Sequence, residues 1–155
     1  MAKKKKSNKS ISNRKARFDY DIKDTLIVGI VLNGAETRAI RQGHVDIKGS
    51  YVTVKDDELW LTNVTVSGSN MAPINDEDKT KSRKLLAKRK EINILIESKS
   101  RGQTIFPLEI LNGGKFIKVR IGYGTGKKLY DKRASLKSKD ENRNIQRYLK
   151  GQIKS

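Results

Sequence analysis

SRKLLAKRKEINILIES occupies residues 82–98. Leu85, Leu86, Ile92, Leu95 and Ile96 recur at the spacing of an amphipathic helix, and Ser82 is a suitable N-cap, so the stretch is read as the one long helix of the chain's body. Where that helix falls decides the fold class. Ahead of it lie a β-branched apolar run, TLIVGIVL (25–32), and the pair SYVTVK (50–55) and ELWLTNVTV (58–66), joined by Asp56-Asp57 in a hairpin. Behind it, TIFPLEIL (104–111) and KFIKVRIGY (115–123) flank the turn Asn112-Gly113-Gly114, and Ile117, Val119 and Ile121 alternate with Lys118 and Arg120. Strands joined by tight turns argue against an all-parallel α/β arrangement, which needs a helix between most strands. The reading is mainly β: a small antiparallel barrel of the oligonucleotide-binding type, with one long helix between its third and fourth strands and one short helix.

The short helix is GAETRAIRQG (34–43), with Ala35, Ala39 and Ile40 facing inward and Arg38 and Arg41 outward. Gly29 predicts a bulge or bend in the first strand, and Pro107, which cannot donate to a ladder, predicts an edge or a bulge in its own. SGSNMAPINDEDKTK (67–81) predicts a long mobile loop.

Charge then restricts the partner. The 155 residues include 35 Lys or Arg against 17 Asp or Glu, a formal charge of +18, and such a field attracts polyanions. No apolar run approaches the eighteen or so residues of a spanning helix, and MAKKKKSNKS lacks the apolar stretch that follows the basic start of a secretory signal. A cytoplasmic chain with no membrane partner is expected. The cations are unevenly placed: residues 1–17 carry +8, residues 126–155 carry +7, and only +3 is left for the rest. This predicts a basic N-terminal extension (1–12), a folded RNA-binding module (13–125) and a basic tail (126–155). In the tail Leu136, Ile145, Tyr148, Leu149 and Ile153 make too thin a stripe to hold a helix on a core, so it is expected to be disordered when free and helical on a polyanionic partner.

Two basic segments carry the candidate contacts. Arg83, Lys84, Lys88, Arg89 and Lys90 spread round the polar arc of the 82–98 helix, either as a contact surface or as an ordinary solvated face. In GTGKKLYDKR (124–133), Gly122, Gly124 and Gly126 before Lys127 suggest a phosphate loop, but Ile121 stands where that motif needs glycine and Lys128 where it needs Ser or Thr. The glycines are read instead as freeing the chain where it leaves the barrel. Lys127, Lys128, Lys132 and Arg133 would then hold phosphates, and Tyr130, beside the acid Asp131, would stack on a base.

Catalysis finds no foothold. The acid clusters Asp56-Asp57-Glu58 and Asp76-Glu77-Asp78 fall in turn or loop sequence, far in sequence from His44, the single histidine, and the chain has no cysteine. No enzyme, no metal, no cofactor and a monomeric state are expected.

Taken together, NRKARFDYDI (13–22), GAETRAIRQG, SYV (50–52), RKLLAKRKEI (83–92), KVRIG (118–122) and GKKLYDKR (126–133) resemble the SsrA-binding protein family, the small protein B family of bacteria. The resemblance implies an oligonucleotide-binding barrel without enzymatic activity, binding to the tRNA-like part of transfer-messenger RNA, and a tail that enters the ribosome. It assigns RNA binding to Glu36 and to the basic stretch beginning at Arg83. Arg38, Arg41, Lys118 and Arg120 are expected on the same surface. The chain departs from the family's commoner Val-Lys-Ser at Thr37-Arg38-Ala39, and from its Pro-Thr-Arg-like run at Lys79-Thr80-Lys81. On the residues alone, Glu36 could equally balance Arg38 or Arg41.

Overall fold

In a computed structural model, which describes residues 10–153, the chain opens with β1 (Ser10–Ser12), α1 (Arg14–Asp19) and β2 (Tyr20–Ile30). It continues through α2 (Gly34–Arg41), β3 (Val45–Asp46), β4 (Tyr51–Lys55), β5 (Glu58–Thr62), β6 (Thr65–Val66) and α3 (Asp76–Lys79). Then come β7 (Arg83–Leu86), α4 (Arg89–Ser100), β8 (Thr104–Leu111), β9 (Lys118–Gly126) and α5 (Leu129–Ile153). Seven strands form one antiparallel sheet in the order β1, β8, β9, β2, β7, β5, β4, while β3 and β6 pair separately. The sheet curls until β4 packs against β8. Inside the curl lie Val28, Val52, Leu59, Leu61, Leu85, Val119 and Ile121, closed off by Ala39 and Ile40 of α2 and Leu95 of α4. A second, smaller cluster joins Ala16 of α1 to Phe106 and Leu108 of β8, with Tyr20 stacked on Phe106 at 4.4 Å between ring centroids.

The hairpin expectations hold locally. β4 and β5 pair through Asp56-Asp57, both with positive φ (52° and 58°), the conformation of a tight two-residue connection. The register of β8 against β9 shifts between Pro107 and Glu109, although β8 lies between β1 and β9 rather than at an edge. The bulge of β2 falls between Ile22 and Asp24; Gly29 itself pairs with both Lys118 and Leu86.

Residues 82–98 are not one helix. Arg83–Leu86 is strand β7, and the helix starts at Arg89, where the Glu91 carboxylate accepts from the Lys88 N–H at 2.9 Å. β7 forms because β2 and β5 each present an open edge that only an extended strand can fill, and pairing on both sides outweighs the modest helix preference of Leu and Lys. Arg83, Lys84 and Lys88 therefore do not share a helical arc with Arg89.

The glycines also differ from expectation. Gly122, Gly124 and Gly126 lie within β9, paired with Thr25, Ile22 and Tyr20, so the strand runs on to Gly126. A Cβ on Gly124 would sit 1.9 Å from the Asp21 carbonyl oxygen, and one on Gly122 would sit 2.9 Å from Leu108 Cδ1. Close approach of the neighbouring strands, rather than release of the chain, is what these two positions need.

The two segments read as loose carry secondary structure. The 67–81 stretch contains the bridge between Ser69 and Ala72 and the short helix α3. The tail forms the continuous helix α5, consistent with its content of good helix formers. Ser10–Ser12, assigned by the sequence to the N-terminal extension, adds a strand to β8 through Ser10–Leu111 and Ser12–Glu109. The rest of that extension lies outside the described residues.

Candidate nucleic-acid interface

Glu36 occupies the third position of α2, and its backbone N–H donates to Asn33 Oδ1 at 2.8 Å while its own Oε2 accepts from the Asn33 N–H at 3.1 Å. This reciprocal cap turns the other oxygen inward. There Oε1 meets Arg83 Nε at 3.1 Å and Lys81 Nζ at 3.2 Å. Arg83 and Glu36 are 2 % and 1 % exposed. The remaining N–H groups of Arg83 reach four backbone carbonyls: Val64 (3.1 Å), Lys81 (3.0 Å), Asp78 (2.9 Å) and Lys79 (3.2 Å). All five guanidinium donors are thus engaged, and none is left for a phosphate.

The position of Arg83 follows from strand parity. It pairs with the fully buried Leu61 and shares its inward face with Leu85, while Lys84 and Leu86 point out. Glu36 and Arg83 therefore form no part of the outer surface. They tie α2, the loop after β5 and the 78–81 segment into one body. The alternative partners read from the sequence, Arg38 and Arg41, do not bind Glu36: Arg38 projects into solvent, and Arg41 donates to the carbonyls of Asn112 (2.9 Å), Gly114 (3.1 Å) and Lys115 (2.9 Å) in the β8–β9 connection.

The outer face of the sheet brings several of the expected cations together. Registered pairs place Lys118, Gly29 and Leu86 side by side, Arg120 beside Ile27, and Lys84 beside Trp60, all on the side away from the core. Lys118 is exposed. Arg120 lies 4.0 Å from Glu109, and Lys84 is paired to Glu58 at 2.8 Å. Beyond β7, Lys88 and Lys90 are exposed and Arg89 stands 3.5 Å from Asp57. Between these elements runs an open groove of about 670 Å³, lined by Ile27, Leu86 and Ile92 with Lys84 and Lys88, but also by Asp57, Glu58 and Glu91. Its cations are locally balanced. The less compensated positive surface is at the end of α2 and the start of β9.

There the sequence reading missed Lys115 and Phe116. Phe116 is 69 % exposed, and Lys115 Nζ lies 5.5 Å from its ring centroid. The signal lay in the sequence pattern: read as one strand over 115–123 with Ile117, Val119 and Ile121 inward, the stretch puts position 116 outward with Lys118 and Arg120, although β9 itself begins at Lys118.

The tail residues occupy a different place. The Lys127 N–H donates to the Asp19 carbonyl at 2.8 Å and Lys132 Nζ meets Asp19 Oδ1 at 3.3 Å, which anchors the start of α5 on α1. Asp131 is half-buried, whereas Lys128, Tyr130 and Arg133 are exposed, Tyr130 by 67 %. Beyond this anchor α5 is exposed nearly throughout. Among the described residues no helix is long and apolar enough to cross a membrane.

A family model described as "SmpB protein" matches residues 10–151. Among curated proteins, the SsrA-binding protein of Ligilactobacillus salivarius (strain UCC118) is 42 % identical over 152 residues, covering 97 % of this chain and 98 % of its own length. That of Exiguobacterium sp. (strain ATCC BAA-1283 / AT1b) is 42 % identical over 155 residues, 99 % of each. That of Enterococcus faecalis (strain ATCC 700802 / V583) is 43 % identical over 139 residues, 89 % of this chain and 90 % of its own. A chain solved under the description "tmRNA-SmpB: a journey to the center of the bacterial ribosome" is 35 % identical, with a TM-score of 0.62 over 77 % of this chain and 85 % of that one.

Proposed function

We propose, because this chain belongs to the SmpB family, that it is an RNA-binding adaptor which binds the tRNA-like domain of transfer-messenger RNA and brings it to stalled bacterial ribosomes for trans-translation. The observation that carries this is the extent of the family match, residues 10–151, which takes in both the folded body and the basic helix after it. The curled antiparallel sheet, with α4 entering between β7 and β8, is read as the oligonucleotide-binding barrel. An RNA of tRNA-like shape offers phosphates, 2′-hydroxyls and unpaired loop bases, which suit a basic, shape-reading surface better than a helix that seeks a major groove.

Within that reading the body has two kinds of residue. Arg38, Lys84, Lys88, Arg89, Lys118 and Arg120 contact the RNA from the surface. Glu36 and Arg83 act from beneath it by holding α2 and the 78–81 segment in place, and Arg41 does the same for the β8–β9 connection. The tail, with Lys127, Lys128, Tyr130, Asp131, Lys132 and Arg133 at its root, works in the decoding region against ribosomal RNA. Its cations meet phosphate and Tyr130 stacks on a base. Such an adaptor needs no catalytic group and works in the cytoplasm.

Pull-down from a bacterial lysate with sequencing of the bound RNA tests the reading. One dominant tRNA-like species is expected. Ribosomal RNA alone would replace it with a ribosomal protein or assembly factor, and turnover of a labelled RNA would replace it with an enzyme. A chain ending at Gly126 should still bind transfer-messenger RNA but fail to support peptide tagging in a reconstituted assay; normal tagging would remove the role given to the tail.

A further inference from the structure

The β8–β9 connection, residues 112–117, is held unusually firmly for a loop. Asn112 is buried, and its side-chain amide donates to the Ile40 carbonyl at 3.1 Å. Arg41 donates to three of the connection's carbonyls, the last that of Lys115. On the other side Ile117 is buried in the main core. Phe116 is thus fixed between a pinned carbonyl and a buried neighbour, yet its ring stays 69 % exposed. A large apolar side chain presented to water by a rigid backbone is the informative case, because nothing about the loop's slack accounts for it.

The surroundings specify what the ring would meet. Lys115 Nζ stands 5.5 Å from the ring centroid, the exposed Lys118 opens β9 two residues on, and Arg38 lies one helical turn before Arg41. From Asn112 to Arg120 the sequence holds no acid. Gly113 and Gly114 carry no side chain to obstruct an approach. A flat apolar face set among cations, with no acid beside it in the sequence, matches a nucleobase with its phosphates.

We propose that Phe116 is a base-stacking platform: an unpaired base of the bound RNA lies on the exposed ring, and Lys115 and Lys118 take the flanking phosphates. Arg41 is the positioning residue that holds the platform at a fixed angle to α2. The proposal rests on the RNA-adaptor reading and adds to it a specific point of contact that charge alone does not supply.

The test is a gel-shift titration of the full-length chain with a transcript of the tRNA-like part of transfer-messenger RNA, at several salt concentrations. Phe116→Ala should weaken binding by about five- to 150-fold, the range that one base stack represents, with an unchanged salt slope because no phosphate contact is lost. Phe116→Leu should behave like Phe116→Ala, and Phe116→Trp should bind like the intact chain. As a measurement that does not depend on a truncated side chain, the fluorescence of Phe116→Trp should be quenched by the RNA beyond any quenching of Trp60 in the intact chain. Full affinity in Phe116→Ala, or no added quenching in Phe116→Trp, overturns the platform while leaving the adaptor reading standing. If Phe116→Ala loses ribosome association but no RNA affinity, the ring docks on a ribosomal component and the proposal is likewise overturned. If the intact chain binds this transcript no better than an unrelated RNA, the adaptor reading falls and the platform with it.

Discussion

The Glu36–Arg83 pair is buried and joins distant parts of the chain, so its substitution is expected to act on the fold first and on RNA binding only through it. Arg83 reaches five acceptors on three separate stretches of chain, at Glu36, at Val64, and at Asp78, Lys79 and Lys81. Lysine has three donors on a compact head and cannot span that set. Arg83→Lys should therefore lower unfolding stability by about 2–5 kcal/mol in urea denaturation, since buried carbonyls lose their partners. Glu36→Gln keeps a capping side chain but leaves a buried cation poorly compensated, a change of about 3–5 kcal/mol where nothing relaxes. RNA affinity should fall in both variants as the 78–81 segment loosens, with the salt slope retained; a smaller slope in Glu36→Gln would mean that a phosphate-binding cation had been lost with it. Glycines give a sharper contrast. Gly124→Ala would drive a Cβ into the Asp21 carbonyl and should abolish soluble expression, whereas Gly126→Ala, with open space around its Cβ, should change stability by no more than about 0.5 kcal/mol.

Among the elements, α5 depends least on the rest of the molecule. Its 25 residues would extend about 37 Å, yet its described ties to the body sit at its start, where Lys127 and Lys132 meet Asp19. Removing everything after Gly126 should therefore leave the unfolding free energy of the body, read from urea denaturation, nearly unchanged, a difference of about 1 kcal/mol or less. A much larger loss would show that the helix packs on the barrel. Circular dichroism at 222 nm measures how much of the helix persists in the free chain, where an isolated helix of this length is marginal. β7 and α4 show the opposite dependence. Their boundary was misplaced because Leu85, Leu86, Ile92 and Leu95 fit a helical period, and only the open edges of β2 and β5 reveal that the first four residues are needed as a strand.

For the whole molecule, the charge of +18 makes binding an electrolyte equilibrium. Each phosphate neutralised on a duplex contributes about 0.9 to the slope of log affinity against log salt, so a slope of about −3 or steeper is expected from filter binding between roughly 50 and 200 mM salt. A slope near zero would remove the electrostatic basis of the interface. The tail carries +7 of the total, so its removal should flatten the slope for ribosomes more than for transfer-messenger RNA if body and tail address different partners.

The hairpins, the class of partner and the family are all legible in local pattern. Period-two alternation at 117–121, turn residues at 56–57 and 112–114, and the sorting of cations to the ends are local properties, readable wherever a residue's neighbours in sequence are also its neighbours in space. Which charges face water depends on the folded sheet and on no local pattern. Arg83 and Lys84 are adjacent in a basic run, yet one closes a buried network and the other stands on the outer face, because β7 alternates between two strands whose positions no local pattern encodes. The same holds for Gly124, whose necessity comes from Asp21, and for Arg41, whose guanidinium fixes a connection more than seventy residues away and so sets the angle of Phe116. Long-range packing assigns such roles because desolvation and hydrogen-bond satisfaction depend on the closed sheet rather than on the segment.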